Sequence, residues 1–584
     1  MFKVNRFMKN KLINISNILA VNKNYKLFII LGIITIIVYG PFICNGGIGS
    51  GQDTRALRIG MNKSSSLVSI VTSRTSDTFM LHAPLGSRLM KIWIKYFKEF
   101  HSLSILFSTV LLILVAYLLY PIVKIMLGQL VAVIFSFFSI LPIIASDIIE
   151  SHMMFASHYN VSIMFWTLSL NYMNKYLLLK KGKFYLLSYL ILIISLITFP
   201  LAIPLLVLSA FYPIVYETGY LEKIRIKEIR NKLYKYVVPV ALIFLAYYVY
   251  KIYIVNSNYG ILKFNIKSIL QFLYFYVVIL VEIPIVLIEV IPHLLNGKVL
   301  LGGSLTVLFF IFIYKNYSSL NHTSIIDRRK ERRFIVLIMV TLVGCSLFFF
   351  VSQRGPTTFG YANRYMFPSF LMISILAGLG FKYIFNSRLR NIIIPIAVLW
   401  ISSMIVQLEN FTLTAKYRRL IINDFSNKIN EIDLGYSPVV IACVPGFLEN
   451  NYNNEAIFFP MDPWIGDFMS GVSLYGDVNI KNIKIFPFNW GTIYREKKFL
   501  FTDNYIEYNY HNHTLYNSNL WYYVYNQKSK ISQLIKIQGK TEFERLIEMI
   551  NKNRINYHPL IIRENLRNFI KTNVLKFYKN IPKI

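Results

Sequence analysis

Residues 140–160, "ILPIIASDIIESHMMFASHYN", place Asp147, Glu150, His152 and His158 just where an apolar run ends. Carboxylates at such a mouth are partly desolvated, and desolvation raises a carboxyl pKa toward the range of a general base. Two more, Asp53 and Asp77, lie in a polar stretch that begins "GGIGSGQDTRALRIG" at 46–60, where glycines permit sharp turns. A later stretch, "SQRGPTTFGYANRYMFP" at 352–368, carries Arg354, Tyr361 and Arg364. Arginine at headgroup depth offers a planar fork of donors that matches a phosphate. A base beside a phosphate clamp suits transfer from a lipid-phosphate donor to a hydroxyl. The same residues also fit plainer roles: Asp147 and Glu150 as the polar end of a span, Arg364 as a snorkelling anchor, the histidines as solvated loop residues. The elements that deliver them to a membrane surface therefore decide their meaning.

Those elements are apolar runs near 27–45, 103–120, 128–146, 160–177, 184–199, 201–216, 236–256, 269–293, 298–314, 334–352, 367–384 and 391–407. Most have the ~17–25 residues a helix needs to cross a bilayer. With 55% hydrophobic and only 15% charged residues, the chain lacks the charge to cover a soluble protein of this length. It reads as a polytopic α-helical membrane protein. The net charge of +34 does not imply nucleic acid, because the cations cluster between apolar runs, as loops on the cytoplasmic side do. The basic segment 1–26, Lys180, Lys181 and Lys183, "EKIRIKEIRNKLYK" at 222–235, "DRRKERR" at 327–333 and "NSRLR" at 386–390 are all expected inside.

Twelve crossings would put "DRRKERR" outside, so one segment should not span. The expected one is 269–293, which contains Glu282, Pro284, Glu289 and Pro292; proline removes a helix donor and carboxylates are costly in hydrocarbon. It reads as a re-entrant or interfacial helix on the outer side, leaving eleven spans in a transmembrane region of 27–407. The outer loops are then 46–102, 147–159 and 353–366, which hold every candidate residue named above. Within the first of them, "LGSRLMKIWIKYFKEF" at 85–100 suits an amphipathic surface helix.

Residues 408–584 are polar and rich in Asn, Tyr and Lys, and read as an extracytoplasmic α/β or α+β domain. "SPVVIACVPGF" at 437–447 suits a buried strand and "KTEFERLIEMINKNRI" at 540–555 a helix. The cysteines, Cys44, Cys345 and Cys443, form no spaced motif, and no metal or phosphate-loop signature is present.

The order of these features resembles the GT-C class of integral-membrane glycosyltransferases. The resemblance covers residues 27 to about 430. It rests on Asp53 in the first outer loop, Asp147 and Glu150 after the third span, the late "YANRYMFP", and "LENFTLTAKYRRLIINDF" at 408–425 leaving the last span. Within the class, the chain is most similar to bacterial glucosyltransferases that decorate O-antigen, the lipopolysaccharide polysaccharide, or other surface glycans. The resemblance implies a polyprenyl-phosphate-sugar donor, glucose by default, and a lipid-linked or surface glycan acceptor, in the bacterial cytoplasmic membrane. Asp53 would deprotonate the acceptor hydroxyl, which attacks the anomeric carbon with inversion as the polyprenyl phosphate leaves. Arg364 would stabilise the charge on that phosphate, while Asp147 and Glu150 would orient sugar hydroxyls or hold a metal ion. Asp77, His152, Arg354 and Tyr361 complete the substrate-binding set. No cofactor is implied; a divalent metal is not favoured, since arginine alone can neutralise a monophosphate. The family's first-loop acid is often half of a tight acidic pair, whereas Asp53 is followed by Thr54 and Arg55. The base is thus Asp53 or Asp77.

Two other functions fit a polytopic chain. An O-antigen polymerase concentrates arginines in two late loops, whereas here the large outer loop comes first. A transporter or flippase of lipid-linked sugar shows paired interrupted helices in its two halves, and only one interrupted segment is visible in the sequence.

Overall fold

A computed structural model describes residues 25–44, 101–141, 159–218, 226–253, 266–316, 328–352, 366–385 and 391–431, a few positions between 84 and 92, and parts of 439–545. Each of the twelve apolar runs is helical over most of its described length. The helices are α1 (Tyr25–Cys44), α2 (His101–Leu127), α3 (Gln129–Ile140), α4 (Val161–Leu179), α5 (Gly182–Thr198) and α6 (Leu206–Thr218). They continue with α7 (Ile226–Lys232), α8 (Val238–Tyr253), α9 (Ile266–Val277), α10 (Ile283–Glu289), α11 (Gly297–Lys315), α12 (Arg328–Ser352), α13 (Phe367–Phe385) and α14 (Ile393–Glu431). Short π turns join α7 to α8 and α9 to α10, and a 3-10 turn at Pro200–Leu205 leads into α6. Among the described residues, eight helical stretches are long and apolar enough to cross a membrane, with three shorter apolar helices beside them. The chain is a polytopic helical membrane protein.

Contacts at the helix ends sort the bundle into two poles. Lys382 of α13 donates to Glu331 of α12 (2.7 Å) and to the carbonyl of Leu127 at the end of α2 (3.4 Å). From α12, Arg333 also donates to the Thr218 carbonyl, and Lys330 lies 4.2 Å from the Tyr216 ring. Glu217 next to them accepts from Lys180 (2.7 Å) and from the Tyr236 hydroxyl (3.0 Å). The basic ends of α2, α4, α7, α12 and α13 thus meet, together with the Glu217 end of α6, at one pole, the basic pole. α1 joins them there, because Phe28 near its start packs edge-on against Tyr117 and Tyr120 of α2.

Close packing between spans comes from small side chains, which allow backbones to approach in an environment where burial of apolar area drives nothing. Serines lock α4 to α5 in reciprocal pairs: Ser169 and Ser188 donate to each other's carbonyls at 2.8 and 2.9 Å, and Ser162 and Ser195 do so at 3.0 and 2.8 Å. Gly378 of α13 rests on α3, and a Cβ there would lie 2.9 Å from the Val131 carbonyl oxygen. Gly378→Ala is expected to cost about 1–3 kcal/mol through this clash. Gly380→Ala, whose added methyl meets nothing within 4 Å, should leave thermal unfolding in detergent unchanged. Equal melting temperatures for the two variants would contradict the packing.

Two boundaries depart from the sequence expectation. α3 has 12 residues and ends at Ile140 instead of 146; at 1.5 Å per residue it covers ~18 Å, well short of a ~30 Å hydrocarbon core. It begins where Gly128 takes φ 101°, a turn open to glycine but not readily to other residues. The last span does not stop at 407: α14 runs for 39 residues. Beyond 407 it keeps a buried stripe at helical spacing (Leu408, Ala415, Ile421, Ile422, Phe425 and Ile429) with no Gly or Pro to end it. The segment 269–293, expected as a re-entrant or interfacial helix, is helical on either side of a turn at Val290, and Pro284 and Pro292 both lie within its helical pieces. Both prolines fall in the first turn of a new helical piece, where a missing N–H costs little. The segment is long enough to cross, and two of its contacts lie away from the basic pole. Tyr276 and Phe275 pack on Ser346 (3.1 Å) and Phe349 (5.5 Å), in the part of α12 far from the basic pole. Just after it, Asn296 donates to Glu409 (2.9 Å), five residues along α14 from Met404.

Beyond the bundle, β1 (Val439–Val444) pairs parallel with both β2 (Lys484–Asn489) and β6 (Leu520–Asn526), and β6 pairs antiparallel with β7 (Ile531–Lys536). Three further strands, β3 (Phe499–Phe501), β4 (Tyr505–Tyr508) and β5 (His513–Tyr516), form an antiparallel sheet. β1 is the strand expected from "SPVVIACVPGF". Of 540–555, only four positions are described, all helical. β6 docks on α14: the Tyr523 hydroxyl donates to Asp424 (2.6 Å), and its ring packs edge-on against Phe425. Burial, reinforced by the Asp424 carboxylate, holds the Tyr523 phenol well above its usual pKa.

Candidate functional site

Asp53, Asp77, Asp147, Glu150, His152, His158, Arg354, Tyr361 and Arg364 all lie outside the described residues. Their flanking elements are described, and these converge. α1 and α12 both start at the basic pole, so Cys44 and Ser352 end at the opposite, far pole. α13 and α4 finish at the basic pole, so Phe367 and Val161 begin at the far one. Tyr159 confirms this for α4: its ring lies 4.1 Å from that of Phe199, in the α5–α6 turn, and Pro204 of the same turn has its carbonyl 3.2 Å from a Cβ placed on Gly344 of α12. The described residues that flank the segments holding Asp53 and Asp77, Asp147 and Glu150, and Arg354 and Arg364 thereby lie toward one end of the bundle.

The floor beneath that end is built where α3 stops. A helix C-terminus leaves carbonyls without intrahelical partners, and inside a bundle those must be met by side chains. Tyr39 of α1 donates to the Ile140 carbonyl (2.9 Å), and its oxygen lies 3.3 Å from Met404 Sδ of α14. Trp400, also on α14, donates from Nε1 to the Leu141 carbonyl (2.9 Å) and sets its ring edge-on to Phe138 (4.8 Å). α1, α3 and α14 are pinned together just before the segment that bears Asp147 and Glu150. Tyr39, Trp400 and Leu141 are all buried. This arrangement was not read from the sequence, where an aromatic in an apolar run looks like one more lipid-facing ring.

Two other polar residues stand out. Glu282, flagged in the sequence as an oddity, is buried at the π turn and accepts from the Tyr274 hydroxyl. Its companion Glu289 falls within α10, but its side chain lies outside the described residues. Arg418, not singled out before, occupies the buried stripe of α14 between Ala415 and Ile422 and is 4% exposed. A helical wheel of "LENFTLTAKYRRLIINDF" would have placed it there. Glu409 binds Asn296 and Lys298 (2.8 Å) across the α14–α11 contact. Among the described residues no group of three His, Cys, Asp or Glu side chains is placed to hold a metal ion.

The fold defines a multi-pass helical membrane protein, and the described flanks of the three candidate segments lie toward one pole. No family model, curated protein or solved structure matches the chain.

Proposed function

We propose that the protein is an inverting glycosyltransferase that moves a sugar, glucose by default, from a polyprenyl-phosphate carrier to a bacterial surface glycan such as O-antigen. The reading rests on sequence resemblance to the GT-C class. The observation that carries it is the convergence of the flanks of all three candidate segments at the pole opposite the basic one. By the positive-inside rule the basic pole faces the cytoplasm, so the proposed site faces outward, where the sugar of a flipped lipid-linked donor is found. Eleven spans and an outer interfacial helix over 269–293 fit the contacts of Tyr276 and Asn296, and β1–β7 then lie outside the cytoplasm.

In this mechanism Asp53, or Asp77 in its place, removes the acceptor proton. The freed oxygen attacks the anomeric carbon, the bond to the carrier phosphate breaks, and that phosphate leaves with the electron pair. Arg364, with Arg354, meets the growing negative charge, and Asp147, Glu150, His152 and Tyr361 hold sugar hydroxyls. The floor of Tyr39 and Trp400 fixes the height at which the Asp147 segment starts.

Arg364→Ala is expected to slow transfer from polyprenyl-phosphate-glucose by about 10²–10³-fold, the usual loss when one donor to a developing charge is removed. Purified protein in lipid, assayed against a panel of surface-glycan acceptors, gives the number. Undiminished transfer by the variant would remove Arg364 from the site.

One observation favours a second reading. α3 is short and stops inside the bundle, and short or broken helices are a feature of transporters. Donor binding without transfer by the wild type, over several donor sugars and acceptors, would select that reading.

A further inference from the structure

At the basic pole, α4 and α5 form a hairpin whose turn has Lys180 at φ 54°. The π turn that leads into α8 packs beside it: Tyr185 donates to the Lys235 carbonyl (2.5 Å) and Tyr189 to that of Tyr236 (3.4 Å). Three lysines converge in this corner. Lys180 and Lys232 approach the two oxygens of Glu217 at 2.7 and 3.8 Å. Lys235 lies 5.0 Å from the Tyr176 ring and 5.0 Å from the Tyr236 ring, and Lys180 lies 5.8 Å from the same Tyr176 ring. Lys180, Lys232 and Lys235 against the single carboxylate of Glu217 leave two positive charges in excess, and exposed Lys181 and Lys183 add to the field. Apolar side chains begin about one turn further into the bundle's height. Leu186, Leu190 and Ile193 on α5, and Val238, Leu242 and Leu245 on α8, are exposed in two adjacent strips.

We propose that this corner seats the headgroup of an anionic phospholipid, with its acyl chains along the exposed strips of α5 and α8. The charge calls for a phosphate, and the adjoining lipid-facing surface selects one that carries acyl chains over a free ion. A lysine near an anionic leaflet strengthens binding by roughly fivefold, so the excess of two makes the corner a defined seat. Rings beneath Lys180 and Lys235 hold those side chains in place and reduce the entropy lost on binding. The inference is independent of the reaction at the far pole.

The test is native mass spectrometry of the full-length protein titrated with phosphatidylglycerol, phosphatidylcholine or inorganic phosphate. Phosphatidylglycerol should bind preferentially and weaken as salt is raised. The Lys180→Gln/Lys235→Gln double variant should bind it about 25-fold more weakly. Glu217→Gln, which removes the competing carboxylate, should bind it several-fold more tightly. Lys416→Gln, on α14, should behave as wild type. Equal binding of the two lipids, salt-insensitive binding, or a double variant that binds as well as wild type would overturn the proposal. So would inorganic phosphate matching the lipid.

Discussion

Asp53→Asn is expected to reduce sugar transfer by about 10²–10⁴-fold, the contribution typical of a general base, while polyprenyl-phosphate-glucose still binds. The amide keeps the size and hydrogen-bonding reach of the carboxylate but cannot take the acceptor proton. Transfer and donor binding are measured on the same purified protein, so a folding defect shows in the second readout. Asp77→Asn, run alongside, decides between the two first-loop acids: the larger loss identifies the base. Asp147→Asn should lose less, because a residue that orients a sugar hydroxyl contributes binding but not proton transfer, and its deficit should fall partly on acceptor KM. If both first-loop variants transfer sugar at the wild-type rate, the proposed mechanism fails at its first step.

Trp400→Ala is the second large effect. Truncating a fully packed indole costs about 3–5 kcal/mol, and here it also strands the Leu141 carbonyl, which Nε1 satisfies at 2.9 Å. Trp400→Phe separates the two contributions: it keeps most of the ring against Phe138 and removes only the donor, at a cost of about 1–3 kcal/mol for a buried carbonyl left unpaired. Thermal unfolding in detergent measures both. Because Trp400 and Tyr39 hold the end of α3 that feeds the Asp147 segment, Trp400→Phe should lower transfer more than its stability loss predicts. A variant with lowered melting temperature and wild-type transfer would show that the floor is purely structural.

Much of the bundle was legible from residue type and spacing. The apolar runs were long enough to be helices whatever packed around them, and each became one over most of its described length. "SPVVIACVPGF", an apolar run ahead of a Pro-Gly pair, gave β1. Boundaries were less legible. Residue hydropathy says where a run could lie in lipid, so α14 was cut at 407, yet its helix continues because the Ala415-to-Ile429 stripe finds a packing surface that includes β6. The prolines of 269–293 were read as breakers, but each fell where a helical piece starts and no donor was needed. Of the candidate site, the sequence supplied the residue types and the loops that hold them. The floor beneath them escaped notice, since Tyr39 and Trp400 lie more than 300 residues apart and acquire a role only when both reach α3.

The amino-acid sequence by itself determined that this chain enters a membrane as a set of helices, because apolar length and the clustering of Lys and Arg are local properties that need no partner. Only the tertiary structure decided that α3 stops within the bundle, that Glu217 gathers Lys180 and Lys232, and that the described flanks of three distant segments share one pole. Each of these depends on hydrogen bonds and packing between residues far apart in the chain, whose energies exist only once the helices have met.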